Sequence, residues 1–243
     1  MKEAAPGFSG LRHWRFQTDA NTVGWLAIDK ADASANVLSR EVMAEFAQAL
    51  ALLEGAQLRG LVIYSGKEGR FIAGADITEF PQIGVAEDAV RVASEGQDLM
   101  QRLEVLPCPV VAVLDGATLG GGLELALAAD WRIALPGEKP CIGLPEVQLG
   151  LHPGFGGTVR TVRLLGVRKG MDLMLTGRSL TPREALACGL VDRISSAAGW
   201  REDALALLAK GRPARGLALV DRLLGLAPVR GFVARDLRKR AAR

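Results

Sequence analysis

The 243 residues, 49% hydrophobic and 23% charged, have the profile of a soluble globular protein of one good-sized domain, or one domain with a small appendage. No apolar run reaches the ~18 residues of a membrane span, and no N-terminal segment has the basic-then-apolar layout of a signal peptide, so the expected location is the cytoplasm. Cys108, Cys141 and Cys188 are odd in number, far apart and set in or beside apolar segments, which points to reduced thiols; no CxxC pair or Cys/His cluster suggests a metal site. The net charge of +3 conceals an asymmetry, because eleven basic against four acidic residues give +7 from Arg201 to Arg243. With Phe232 the one aromatic after Trp200, this tail reads as a solvated helical face or a linker, and nucleic-acid binding is not expected.

In chain order, four β-rich apolar runs stand out, Val23–Asp29, Gly60–Ser65, Val110–Asp115 and Trp131–Leu135, with a shorter fifth at Leu190–Ile194. Helical patterns lie between them. Ser39–Leu53 has a Ser N-cap and apolar Val42, Phe46, Leu50 and Leu53 at helical spacing. Ala86–Leu106 is long and amphipathic, and Gly122–Ala129 is almost wholly apolar and so buried. Thr158–Leu165, Lys169–Thr176 and Thr181–Ala187 follow, the last opening Thr-Pro-Arg-Glu, a cap, a Pro at N1 and an acid at N3. Alternating strands and helices predict an α/β fold with parallel pairing. The boundary is expected near Ser195–Gly199, separating an α/β core (1–195) from a helical C-terminal region (196–243) that packs outside or bridges to another chain.

Three segments bear on chemistry. In Val110–Asp130 (VVAVLDGATLGGGLELALAAD) a buried strand passes through a glycine-rich loop into an apolar helix carrying one carboxylate, Glu124. Free N–H groups at the first turn of that helix suit a developing oxyanion, and the glycines let a ligand approach them. The same glycines also suit tight helix–strand packing alone. Glu124 tips the balance, because an ionised group in LELALAA is costly to bury without a partner or a task. Phe71–Phe80 (FIAGADITEF) packs small residues where backbone can again face a ligand, and Asp76 has the alternative role of capping the next helix. In Ile142–Gly157 (IGLPEVQLGLHPGFGG), Pro145 and Glu146 read as the start of a short helix, where an acid also simply complements the helix dipole. His152 is one of two histidines, and without a GxSxG elbow it supports no Ser-His-Asp triad.

Together and in this order, AGADI, GGGLELALAAD, GLPEVQLGLHPGFGGTVR and TGRSLTPREALACGLVD resemble the crotonase (enoyl-CoA hydratase/isomerase) superfamily, over about Trp14 to Ile194. The resemblance implies a spiral of β-β-α units with a helical C-terminal region. It implies an oxyanion hole from the amides of Ala75 and Gly121, and hydratase carboxylates at Glu124 and Glu146. Contacts to CoA or the acyl chain would come from Ala33, Ala35, Ala73, Asp76, Ile77, Leu123, Pro153 and Gly154, with no cofactor beyond the CoA of the substrate and no metal. The activity implied is syn addition of water to trans-2-enoyl-CoA, giving 3-hydroxyacyl-CoA in fatty-acid β-oxidation. Other acyl-CoA chemistry on this fold (isomerase or hydrolase) and a non-catalytic CoA-ester or RNA-binding scaffold are the rivals. DKADASANVLS, FIAGADITEF and RDLRKRAAR further resemble the hydratase domains that open the α-subunits of multifunctional fatty-acid oxidation complexes. That likeness implies Δ3–Δ2 isomerisation through Glu146 as a second activity; the expected assembly is a homo-trimer or hexamer, or an attached dehydrogenase domain in a longer parent chain.

Overall fold

The computed structural model describes residues 8–82 and 84–214. In chain order its strands are β1 (Trp14–Thr18), β2 (Val23–Ile28), β3 (Gly60–Ser65), β4 (Val110–Leu114), β5 (Thr118–Leu119), β6 (Trp131–Ala134), β7 (Ile142–Gly143), β8 (Ser179–Leu180) and β9 (Arg193–Ile194). The α-helices are α1 (Arg40–Glu54), α2 (Ala86–Glu104), α3 (Gly121–Ala128), α4 (Gly157–Thr176), α5 (Pro182–Cys188) and α6 (Trp200–Leu208), with 3₁₀ turns at Ile77–Gln82 and Pro145–Leu149.

The main sheet runs β1-β2-β3-β4-β6-β9, parallel throughout except for the antiparallel β1–β2 pair. Because strand side chains alternate, the same strands feed two cores. Leu26, Ile28, Leu61, Ile63, Val110, Ala112 and Leu114 join α1, α2 and α3 in the larger one. Val23, Trp25, Val62, Val111, Val113 and Ile133 face the other way and are covered by Ala204, Leu207 and Leu208 of α6. Burial on both faces explains why these strands read as continuous apolar runs. The C-terminal helix thus packs on the outside of the sheet, and the remainder of the expected helical region, beyond Ala214, lies outside the described residues.

Local chemistry sets the helix ends. Ser39 caps α1, accepting from the Val42 amide at 3.4 Å. Thr181 and Glu184 close a full capping box on α5 with Pro182 at its first position. The two helices expected within 158–176 join as α4 across a kink at Gly166, whose φ of 80° breaks the helical path. A fully buried arginine locks β6 to β9: Arg132 donates to the carbonyls of Ala129 (2.8 Å) and Leu190 (3.0 Å) and pairs with Asp192 at 2.9 Å.

A second, three-stranded sheet, β5-β7-β8, stands apart from the first. It is extended by bridges that pair Ile72 with Thr118 and Leu38 with Ala75, both parallel. Four stretches of chain, 38, 72–75, 118–119 and 142–143, therefore run side by side in one direction.

Candidate active site

That parallel register gathers the three motifs. Ile72, Thr118 and Ile142 lie abreast, so the residues three or four further on, Ala75, Gly121 and Glu146, emerge at the same edge, the carboxyl ends of the strands, where α/β proteins place ligands. Ladder bonds hold the register: the Leu119 amide donates to Ile72 O and the Gly120 amide to Gly143 O, each at 3.0 Å. Gly120 has φ +50°, and a Cβ there would stand 3.1 Å from Glu146 Oε1 and 3.8 Å from Gly74 Cα. Glycine at 120 is what lets the three chains close on one another.

Two amides at this edge remain outside the ladder. The Leu38 amide donates to Gly74 O (2.8 Å) and the Asp76 amide to Leu38 O (3.1 Å), which passes over the Ala75 N–H between them. Gly121 opens α3, where an N–H has no acceptor within the helix. Among the described residues neither amide has a hydrogen-bond acceptor.

Glu124 lies in the first turn of α3 with 2% of its surface exposed. Its Oε1 accepts from the amides of Gly157 (2.7 Å) and Phe155 (2.8 Å). Burial lifts its carboxyl to about 7, and the charge of Glu146 adds to the rise, against the pull of the two amides and of Arg160. Glu146 follows Pro145 in the first turn of the 3₁₀ helix and is half-buried. Its Oε2 is buried without a hydrogen-bond partner among the described residues, and burial raises this carboxyl too, opposed by its own amide and by His152. A buried polar atom left unpaired costs about 1–3 kcal/mol, so its retention marks a place where fold stability yields to another requirement. Two carboxyls that burial makes resist ionisation, one of them also sensing the charge of the other, suit proton exchange near neutral pH.

The remaining expected residues are distributed as follows. Asp76 caps the 3₁₀ turn, accepting from the Thr78 hydroxyl at 2.6 Å, and pairs with Lys30 Nζ at 2.9 Å; these two contacts hold its carboxyl below the usual range. Ala73 and Ile77 flank the Gly74–Asp76 turn and are exposed. Leu123 is fully buried in the larger core. Pro153 is buried beside Gly157 and Glu124, and Gly154 is half-buried, its carbonyl accepting from Gln97 at 2.8 Å. Ala33 and Ala35 are half-buried in a loop that Asn36 ties down. The buried Asn36 amide donates to Phe71 O (2.9 Å) and Ser65 Oγ (3.0 Å), and its side-chain oxygen accepts from the Lys30 amide (2.9 Å). Sequence reasoning passed over Asn36, Phe155 and Gly157. The first is one polar residue in an unremarkable polar loop; the GFGG cluster was the visible signal for the other two.

Stacked sheets with this strand order and these emergent loops define a crotonase-type α/β protein. Residues 20–217 match the family model described as Enoyl-CoA hydratase/isomerase, and the chain belongs to that family. It is 43% identical over 213 residues to the fatty acid oxidation complex subunit alpha of Shewanella loihica, covering 86% of this chain and 30% of that protein. It is 46% identical over 176 residues to the subunit of the same name from Aliivibrio fischeri, covering 72% and 26%. The chain thus spans less than a third of the length of these curated relatives. The crystal structure of enoyl-CoA hydratase from Bacillus anthracis superposes with a TM-score of 0.74 at 33% identity, covering 82% of this chain and 76% of that one.

Proposed function

We propose that this chain is an enoyl-CoA hydratase, adding water to the double bond of a 2-enoyl-CoA to give the 3-hydroxyacyl-CoA of fatty-acid β-oxidation. The observation that carries the reading is the pair of carboxyls raised by burial, Glu124 and Glu146, beside the amides of Ala75 and Gly121, which have no acceptor among the described residues. In this reading the thioester carbonyl accepts from those two amides. Glu124 takes a proton from water as the oxygen bonds to Cβ. The electron pair of the double bond moves toward the thioester oxygen, giving an enolate-like species. Glu146 delivers a proton to Cα, and the carbonyl re-forms. Each oxyanion donor is worth roughly 3–4 kcal/mol in enzymes where one has been removed, and general acid–base assistance about 10²–10⁴-fold. Relatives named as fatty acid oxidation complex subunits support the pathway.

The test is loss of the ultraviolet band of the conjugated thioester when the protein meets crotonyl-CoA and longer 2-enoyl-CoA esters. The reading expects the band to disappear and 3-hydroxyacyl-CoA to form; persistence of the band at every acyl length rejects it.

A further inference from the structure

Gly96 and Phe155 meet in a contact that the proposed chemistry does not itself demand. Gly96 is buried inside α2, where glycine costs about 1 kcal/mol relative to alanine. A Cβ at this position would stand 2.1 Å from Phe155 Cδ1, so the ring is seated directly on bare helix backbone. The ring also lies 3.3 Å from where a Cβ of Gly121 would be. The next residue of α2, Gln97, donates to Gly154 O at 2.8 Å. Near the end of α2, Glu104 pairs with Arg160 at 2.8 Å, and Arg160 Nη1 donates to Phe155 O at 3.1 Å. One helix therefore grips the 154–155 segment by a ring, by a side-chain amide and through a guanidinium, and this segment supplies the Phe155 N–H that Glu124 Oε1 accepts at 2.8 Å.

We infer that Gly96 and Phe155 form a positioning pair: the ring seated on α2 fixes the Phe155–Gly157 turn, and through that turn the place of the Glu124 carboxylate. The inference rests on the reading of Glu124 as the group that activates water. A methyl at Gly96 overpacks against the Phe155 ring, so Gly96→Ala is expected to lose stability on either view, and catalysis and the Glu124 titration are what separate positioning from packing. The positioning view expects both to change, because the methyl displaces the ring and the turn with it. Besides the two amides, the charged groups that bear on Glu124 are Glu146 and Arg160, with Glu104 behind Arg160 and His152 beside Glu146.

The experiment compares Gly96→Ala, Phe155→Ala and the double variant in the full chain. A misplacement of about 1 Å costs on the order of 10²-fold, so Gly96→Ala is expected to lower kcat for crotonyl-CoA roughly 10–100-fold with KM little changed. The acid limb of its kcat profile moves to higher pH, since Glu124 loses a donor that favours its charged form. Phe155→Ala keeps the N–H while removing the ring, so the double variant returns to the kcat of Phe155→Ala alone. An unchanged kcat and pH profile in Gly96→Ala, an unchanged kcat in Phe155→Ala, or a double variant that falls below Phe155→Ala by the full Gly96→Ala loss, overturns the inference. Titration of the Glu124 carboxyl by carbon-13 resonance in the wild type and in Gly96→Ala gives a readout free of catalysis. A protein that hydrates nothing yet shows the Glu124 titration moving upward defeats the proposed activity alone, and an unmoved titration defeats the positioning pair.

Discussion

The charge of Glu146 raises the pKa of Glu124 although the two carboxylates belong to different sheet extensions, one on the helix after β5 and the other in the 3₁₀ turn after β7. With Glu124 lifted to about 7, the base that the proposed hydration needs ionised is half-charged near neutrality. Hydration of crotonyl-CoA is therefore expected to fall as pH drops through about 7. A kcat profile flat down to the ordinary carboxylate range contradicts the assignment.

The same shift has a stability consequence of opposite sense. Folding raises the Glu124 pKa, so its favourable contribution is complete below the unfolded value of ~4.3 and is lost as pH rises toward about 7. Glu124→Gln removes that loss while leaving an oxygen for the amides of Phe155 and Gly157. Thermal melts should show the variant gaining on the wild type from pH 4 to pH 8, by on the order of 4 kcal/mol at most. Parallel pH dependence in the two proteins rejects this.

Gly120→Ala places a methyl at φ +50° and 3.1 Å from Glu146 Oε1. Stability should fall by about 1 kcal/mol from the backbone alone. Hydration should fall further than that loss explains, roughly 10–100-fold, because the Glu146 carboxyl is displaced. Steady-state kinetics beside a denaturant titration separates the two.

Asn36→Ala leaves the Lys30 amide and the carbonyl of Phe71 without their side-chain partner. A cost of about 1–3 kcal/mol is expected in urea unfolding. Ala33 and Ala35 lie on the loop that Asn36 ties down, so KM for a CoA thioester should rise more than kcat falls.

Arg132→Leu strips the carbonyls of Ala129 and Leu190 of a donor and removes the guanidinium from beside Asp192. Leaving buried carbonyls short of a donor costs about 1–3 kcal/mol, which thermal unfolding would register as a fall in Tm. A small change would mean that the main sheet does not depend on this clamp.

The legible parts of the sequence were those with a strong local period or cap. β2, β3, β4 and β6 announced themselves because both faces are buried, and α1 and α5 because Ser39 and Thr181 mark their starts. β1 was missed because Arg15, Gln17 and Thr18 dilute the signal of Trp14 and Phe16. β5, β7 and β8 were missed because two-residue strands have no period at all. They are nevertheless what brings Ala75, Gly121 and Glu146 to one edge, so the candidate residues and the expectation that they meet were read from motifs, while the strands that bring them together were not. Glu124 was visible as an acid in an apolar helix. Its amide partners were not, since Phe155 and Gly157 are more than thirty residues away in the chain and contribute only backbone.

The central claim, that Glu124 and Glu146 act as one unit in one pocket, is tested most directly by crotonyl-CoA hydration rates in Glu124→Gln, Glu146→Gln and the double variant. Groups that act as a unit are strongly non-additive. Each single change is expected to cost about 10²–10⁴-fold, and the double little more than the worse single. A double variant whose loss is the product of the two single losses, or a single variant with an unchanged rate, contradicts the account.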